Sequence, residues 1–226
     1  MSFYQFLLNV LEDWCYQSPK NYQVWYHRRW LVEKLLELAI LSKEDLLSPE
    51  LAAIEDLIHL EPKHYNAWSH RLFLANTFNL LSSSSELNFT KECINRDVRN
   101  NSAWSYRRHV LEFVPVGFDM NQEFEYCIEM IKLAPSNESA WVYLMSLPNW
   151  LENEAVVREC EFLFSSIQTT GTNSYHYKDL MSAILEIRLA ASQLVQAYDL
   201  LLILEKIDPI RASLYKLKRN RLEVRS

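Results

Sequence analysis

Lys20, Tyr22 and Gln23 stand within the string PKNYQVWYHRR, residues 19–29. A lysine just ahead of a helix start suits one kind of chemistry. In a site shielded from water, its ammonium can stabilise negative charge that gathers on a bound group. The positive end of the helix dipole adds to that field. A near-copy, PKHYNAWSHRL, follows at residues 62–72 and brings Lys63, His64, Tyr65 and Asn66. A reacting residue is needed once, whereas an ion-pair residue is needed in every repeat. The basic groups His27, Arg28, His70, Arg71, Arg107 and Arg108 recur after successive tryptophans. They therefore read as ion pairs between repeats or subunits, with carboxylates such as Glu33, Asp56 or Asp97. Metal ligation by His27 and His70 would lack a third ligand.

The elements that position these residues are legible from the tryptophans. Trp25, Trp68, Trp104 and Trp141 are 43, 36 and 37 residues apart, in KNYQVWYHR, KHYNAWSHR, RNNSAWSYR and SNESAWVYL. Such a period marks stacked helical hairpins. Apolar stripes such as Phe6–Val10–Trp14 and Leu51–Ile54–Ile58 have helical spacing, and no strand pattern competes. Pro19, Pro62 and Pro135 end the preceding helices, and Asn21, Asn100 and Asn137 can cap the next ones. Each tryptophan then lies one turn in, buried, its N–H needing a partner. The longer first interval predicts a longer loop around LSKEDLLSPE. The expected fold is all-α: a right-handed, crescent-shaped superhelix forming one domain over 1–226. Repeats begin near 20, 63, 99 and 136. Degenerate hairpins follow over 151–226, with helices at 151–168, 173–191, 193–206 and 209–223. Asp208 and Pro209 serve as N-cap and first-turn residue of the last.

Composition removes other classes. The only glycines are Gly117 and Gly171, too few for phosphate-binding loops or tight hairpins. The net charge of −6 and the lone basic run KLKRNR at 216–221 argue against nucleic-acid binding. Cys15, Cys93, Cys127 and Cys160 are scattered and read as buried thiols in a reducing cytosol. No apolar run is long enough to span a membrane. The expectation is a cytoplasmic protein.

The phrases NYQVWYHRR, RDVRNNSAWSYRR and EMIKLAPSNESAWVYL resemble the repeats of the protein prenyltransferase α-subunit family. The likeness is closest to the α subunit shared by farnesyltransferase and type I geranylgeranyltransferase. The ending EKIDPIRASLYKLKRNRL resembles that family's last helix more loosely. The resemblance implies a heterodimer whose β subunit carries zinc, with magnesium a candidate second ion, and most of the isoprenoid pocket. No cofactor is expected on this chain. The pair would transfer an isoprenoid from its diphosphate to a C-terminal CaaX cysteine of a protein substrate. Alternatives are a non-catalytic repeat scaffold that binds a protein or peptide, and the Rab-type α subunit. Family members usually carry one more tryptophan phrase upstream. Residues 3–17 resemble only the second helix of that repeat, so Phe6, Val10 and Trp14 should be poorly covered.

The resemblance also implies roles. Lys20 matches the lysine that approaches the isoprenoid diphosphate, with a plain surface lysine as the alternative. Tyr22 and Gln23 match positions facing the same cleft. The Gln23 amide suits a substrate carboxylate, and Tyr22 would line the channel or simply pack beside Trp25. Tyr65 matches a tyrosine near the diphosphate. Asn66 stands where histidine is common and His64 where asparagine is, so the donors there are rearranged. Lys63 is read as structural or as general positive field.

Overall fold

A computed structural model of the chain describes residues 3–170 and 177–223. It divides into two compact units, Met1–Gly117 and Phe118–Ser226. The first holds α1 (Phe3–Gln17), α2 (Tyr22–Glu37), α3 (Lys43–Leu60), α4 (Tyr65–Thr77), α5 (Ser84–Arg96) and α6 (Asn101–Val110). The second holds α7 (Met120–Leu133), α8 (Glu138–Ser146), a 3-10 turn (Trp150–Glu152), α9 (Glu154–Thr170), α10 (Lys178–Ala190), α11 (Leu194–Ile207) and α12 (Ala212–Glu223). Among the described residues every regular element is helical, as the tryptophan spacing predicts.

In the first unit α1–α2, α3–α4 and α5–α6 pack as hairpins, and α4 lies against both α2 and α6. Each tryptophan helix thus pairs most closely with the helix before it. The second unit repeats the pattern with α7–α8, α9–α10 and α11–α12, while α10 also packs on α8 and α11.

One local device builds each tryptophan helix. Asn21, Asn100 and Asn137 accept from backbone N–H groups of the first turn at 3.1–3.3 Å, which satisfies orphan donors there. In the second phrase His64 does this instead, its Nδ1 accepting from the Ala67 N–H at 3.2 Å. All four tryptophans are buried. Each indole donates to the carbonyl six residues earlier: Pro19 (3.2 Å), Pro62 (2.9 Å), Val98 (2.8 Å) and Pro135 (2.7 Å). The ring therefore fills the core and fixes the turn that precedes its helix.

Three expectations need correction. The extra residues of LSKEDLLSPE lengthen a helix rather than a loop. Ser42 caps α3 through the Asp45 N–H (3.0 Å) and donates back to the Asp45 carboxylate (2.8 Å). Pro49 then lies inside α3 on its exposed side, between buried Leu46 and Glu50. Only the missing proline N–H is lost there, because core packing on the opposite side carries the helix through. The last helix begins at Ala212, not 209. Asp208 ends α11, and its carboxylate accepts from Arg211 and from the Tyr215 hydroxyl, both at 3.0 Å, instead of capping. Helix α9 starts at Glu154, because the 3-10 turn holding buried Trp150 occupies the residues before it. Gly171 and the first residues of the expected 173–191 helix, through 176, lie outside the described residues.

Tyr215 is buried and stands six residues after Pro209, as Trp141 stands six after Pro135. It is a degenerate fifth phrase, hidden because a tyrosine replaces the tryptophan.

Candidate functional site

Lys20 is exposed in the turn between α1 and α2. Tyr22 and Tyr65 open α2 and α4 at the same register, three residues before their tryptophans. They are 71% and 81% exposed, so Tyr22 is not packed beside Trp25. Large aromatic rings held out in water at matching positions are available to a ligand or partner. The turn beneath them is fixed. The Pro19 carbonyl, one residue before Lys20, accepts from Trp25 Nε1 and from Asn66 Nδ2 (2.9 Å). That second bond ties the first phrase to the second.

Asn66 is therefore half-buried with its amide donor engaged by protein. Gln23 opens instead into a groove of about 420 Å³ shared with Trp14, Gln17 and His27. Phe6 and Trp14 are about half exposed beside buried Leu8, as the poorly covered stripe requires. Lys63 is exposed.

Arg28, His70, Arg71 and Arg107 are architecture, whereas His27 is exposed in the groove and Arg108 meets the surface carboxylate of Glu112 at 3.5 Å; the expected partners Glu33, Asp56 and Asp97 are not used. Glu33 and Asp56 face solvent, and Asp97 accepts from the Arg99 N–H in a turn. Buried glutamates are the partners instead. Arg28 grips Glu50 through two bonds of 2.9 and 2.8 Å, and His70 Nε2 meets the same carboxylate at 2.9 Å. Arg71 grips Glu86 at 2.9 and 2.8 Å, and the Tyr106 hydroxyl donates to it at 2.6 Å. Each carboxylate is thus held between an arginine of one repeat and a histidine or tyrosine of the next. Tyr143 donates likewise to buried Glu123 in the second unit. Arg107 turns to the Leu87 carbonyl (2.7 Å) and Thr90 hydroxyl (3.0 Å). The signal was in the sequence: Glu50, Glu86 and Glu123 each lie eighteen residues before a repeat tryptophan. Leu7 takes that place ahead of Trp25, and Leu144 takes the arginine's place after Trp141.

This packing fixes protonation. Burial pushes His70 below its ordinary 6.5 despite the Glu50 bond. For Glu50 burial acts upward but is outweighed by the His70 bond and the Arg28 charge, leaving it below 4.5. In both cases the unfolded chain takes up a proton before the folded one does. The contribution of this cluster is then full above about pH 6.5 and is lost as the pH falls, His70 acting first and Glu50 below about 4.5. Thermal unfolding midpoints between pH 7.5 and 4 should follow that course. The His70→Tyr variant, copying Tyr106, should lose the first part of the decline.

With Nε2 on Glu50, His70 is committed to the core. Among the described residues no three His, Cys, Asp or Glu side chains gather as a metal site. The four cysteines are buried and free. Burial pushes the Cys15 and Cys93 thiols up to about 11 and Cys160 to about 12, so they are protonated and inert at neutral pH. No helix among the described residues is long and apolar enough to cross a membrane.

The profile of the protein prenyltransferase alpha subunit repeat matches residues 4–35, 47–78, 83–114 and 120–151. Each match spans one hairpin, from α1–α2 to α7–α8. The chain is 30% identical over 162 residues to the protein farnesyltransferase/geranylgeranyltransferase type-1 subunit alpha of Arabidopsis thaliana, covering 62% of this chain and 49% of the relative. The Pisum sativum subunit of the same name is also 30% identical over 162 residues, covering 61% and 48%. The chain thus spans about half the length of the curated relatives it matches. Its fold is similar to a chain of Candida albicans protein geranylgeranyltransferase-I complexed with GGPP. The TM-score is 0.78 at 23% identity, over 97% of this chain and 72% of that one.

Proposed function

The chain belongs to the protein prenyltransferase alpha subunit repeat family, and on that premise we propose that it is the α subunit of a heterodimeric protein prenyltransferase of the farnesyl/geranylgeranyl type I class. The observation that carries the reading is the turn at Lys20. An ammonium group with no described carboxylate paired to it stands at the start of α2. Its backbone is pinned through Pro19, and Tyr22 and Tyr65 stand exposed on the same register of adjacent repeats. Lys63 stands on an equally pinned turn, so what sets the first phrase apart is KNYQ at 20–23, a lysine, tyrosine and glutamine in an order that a mere scaffold does not need.

In the reaction a substrate thiolate attacks the first carbon of the isoprenoid as its bond to the diphosphate oxygen breaks. The electron pair leaves with the diphosphate. Lys20 would stabilise that growing charge, while Tyr22 and Tyr65 border the isoprenoid diphosphate and Gln23 meets the CaaX peptide's carboxylate; Asn66, its amide donor engaged by the Pro19 carbonyl, is not counted among these contacts. Zinc activates the thiol when bound. It is assigned to the β subunit, as the family resemblance implies. The setting is the cytoplasm, and the chain alone should be inactive. Co-expression with a candidate β subunit tests this. A stable pair with transferase activity, absent from either chain alone, supports the reading; a chain that forms no such pair contradicts it.

A further inference from the structure

In the third phrase one asparagine does two jobs. Asn100 caps α6 through its Oδ1, and its Nδ2 reaches back 3.2 Å to the Pro62 carbonyl of the preceding phrase. The second phrase has histidine at this position. His64 keeps the cap through Nδ1, and its Nε2 is buried without a partner. Held at the cap and T-stacked on Trp25 at 5.2 Å, the ring does not supply the backward strap. Asn66, two residues on, provides it to Pro19 at 2.9 Å. Histidine at 64 and asparagine at 66 therefore divide the two jobs.

We infer that Asn66 is a positioning residue, which holds the Lys20 turn to α4 and so sets where the ammonium stands; this rests on the role proposed for Lys20. Its action runs through Pro19, next in the chain to Lys20, and not through contact with the substrate. The division makes a specific forecast. Removing the Asn66 donor should loosen the Lys20 turn. Placing asparagine at 64 should restore it, because a capping asparagine can strap as Asn100 does.

The test is amide and indole hydrogen exchange in the full chain. The probes are the Asn21 amide, bonded to the Ser18 carbonyl at 2.9 Å in the same turn, and Trp25 Nε1. Asn66→Ala should speed exchange at both about five- to tenfold, the scale of one lost hydrogen bond. The amide of Val32, in the core of α2, should be unaffected. Asn66→Asp, which keeps the shape but not the donor, should do the same. Adding His64→Asn to either variant should return exchange to within about twofold of wild type. Unchanged exchange in both single variants, or no rescue in the double ones, overturns the strap. In the assembled enzyme kcat should fall and recover in step with exchange, with KM little changed. Loosening and rescue with constant kcat would overturn the role of Lys20 and leave the strap standing.

Discussion

In the assembled enzyme, Lys20→Ala should slow the chemical step about 100- to 1,000-fold, the scale for removing one preorganised charge-stabilising donor. Assembly and thermal stability should be unchanged, since Lys20 is exposed and pairs with no described carboxylate. The diphosphate carries its full charge only after the carbon–oxygen bond breaks, so the loss should fall on the single-turnover rate more than on substrate affinity. Lys63→Ala is the control. It removes an exposed lysine at the equivalent place in the second phrase and should change the rate less than about twofold. Equal single-turnover rates for wild type and Lys20→Ala would remove Lys20 from the chemistry.

The largest structural effect is expected at Glu50. Its carboxylate accepts from Arg28 and His70, and all three side chains are almost fully buried. Glu50→Ala strands a guanidinium in the core and should cost about 3–5 kcal/mol of unfolding free energy. Glu55→Ala is the contrast, because that carboxylate meets Arg71 at 3.0 Å from a partly exposed position. It should cost less than about 1 kcal/mol. Denaturant titrations of the two variants check the difference. A Glu50→Ala chain within 1 kcal/mol of wild type would mean that the buried ladder is not what joins the repeats.

Much of the fold was readable because its signals are local. Proline, asparagine cap and tryptophan recur at fixed offsets, and each acts within six residues of the others. What escaped depends on side chains that meet across repeats. The glutamates were hidden because their partners lie 15 to 22 residues away in sequence. Exposed acids such as Glu33 and Asp56 look the same on paper. LSKEDLLSPE read as a loop because the first tryptophan interval is the longest, yet Ser42 and buried Leu46 and Glu50 hold the helical turns on either side of Pro49. At the candidate site, Lys20 was singled out by its place ahead of a helix start, and Tyr22 and Tyr65 by the family resemblance. The service of Asn66 to Pro19 was not, since it follows from histidine replacing asparagine at another position.

Lysine acetylation read by mass spectrometry tests the central claim most directly, in the assembled pair with and without an isoprenoid diphosphate. An ammonium that meets the diphosphate should be shielded when the lipid binds, so Lys20 should label at least about tenfold more slowly while Lys63 labels at its former rate. Equal labelling of Lys20 in the two conditions would contradict the account.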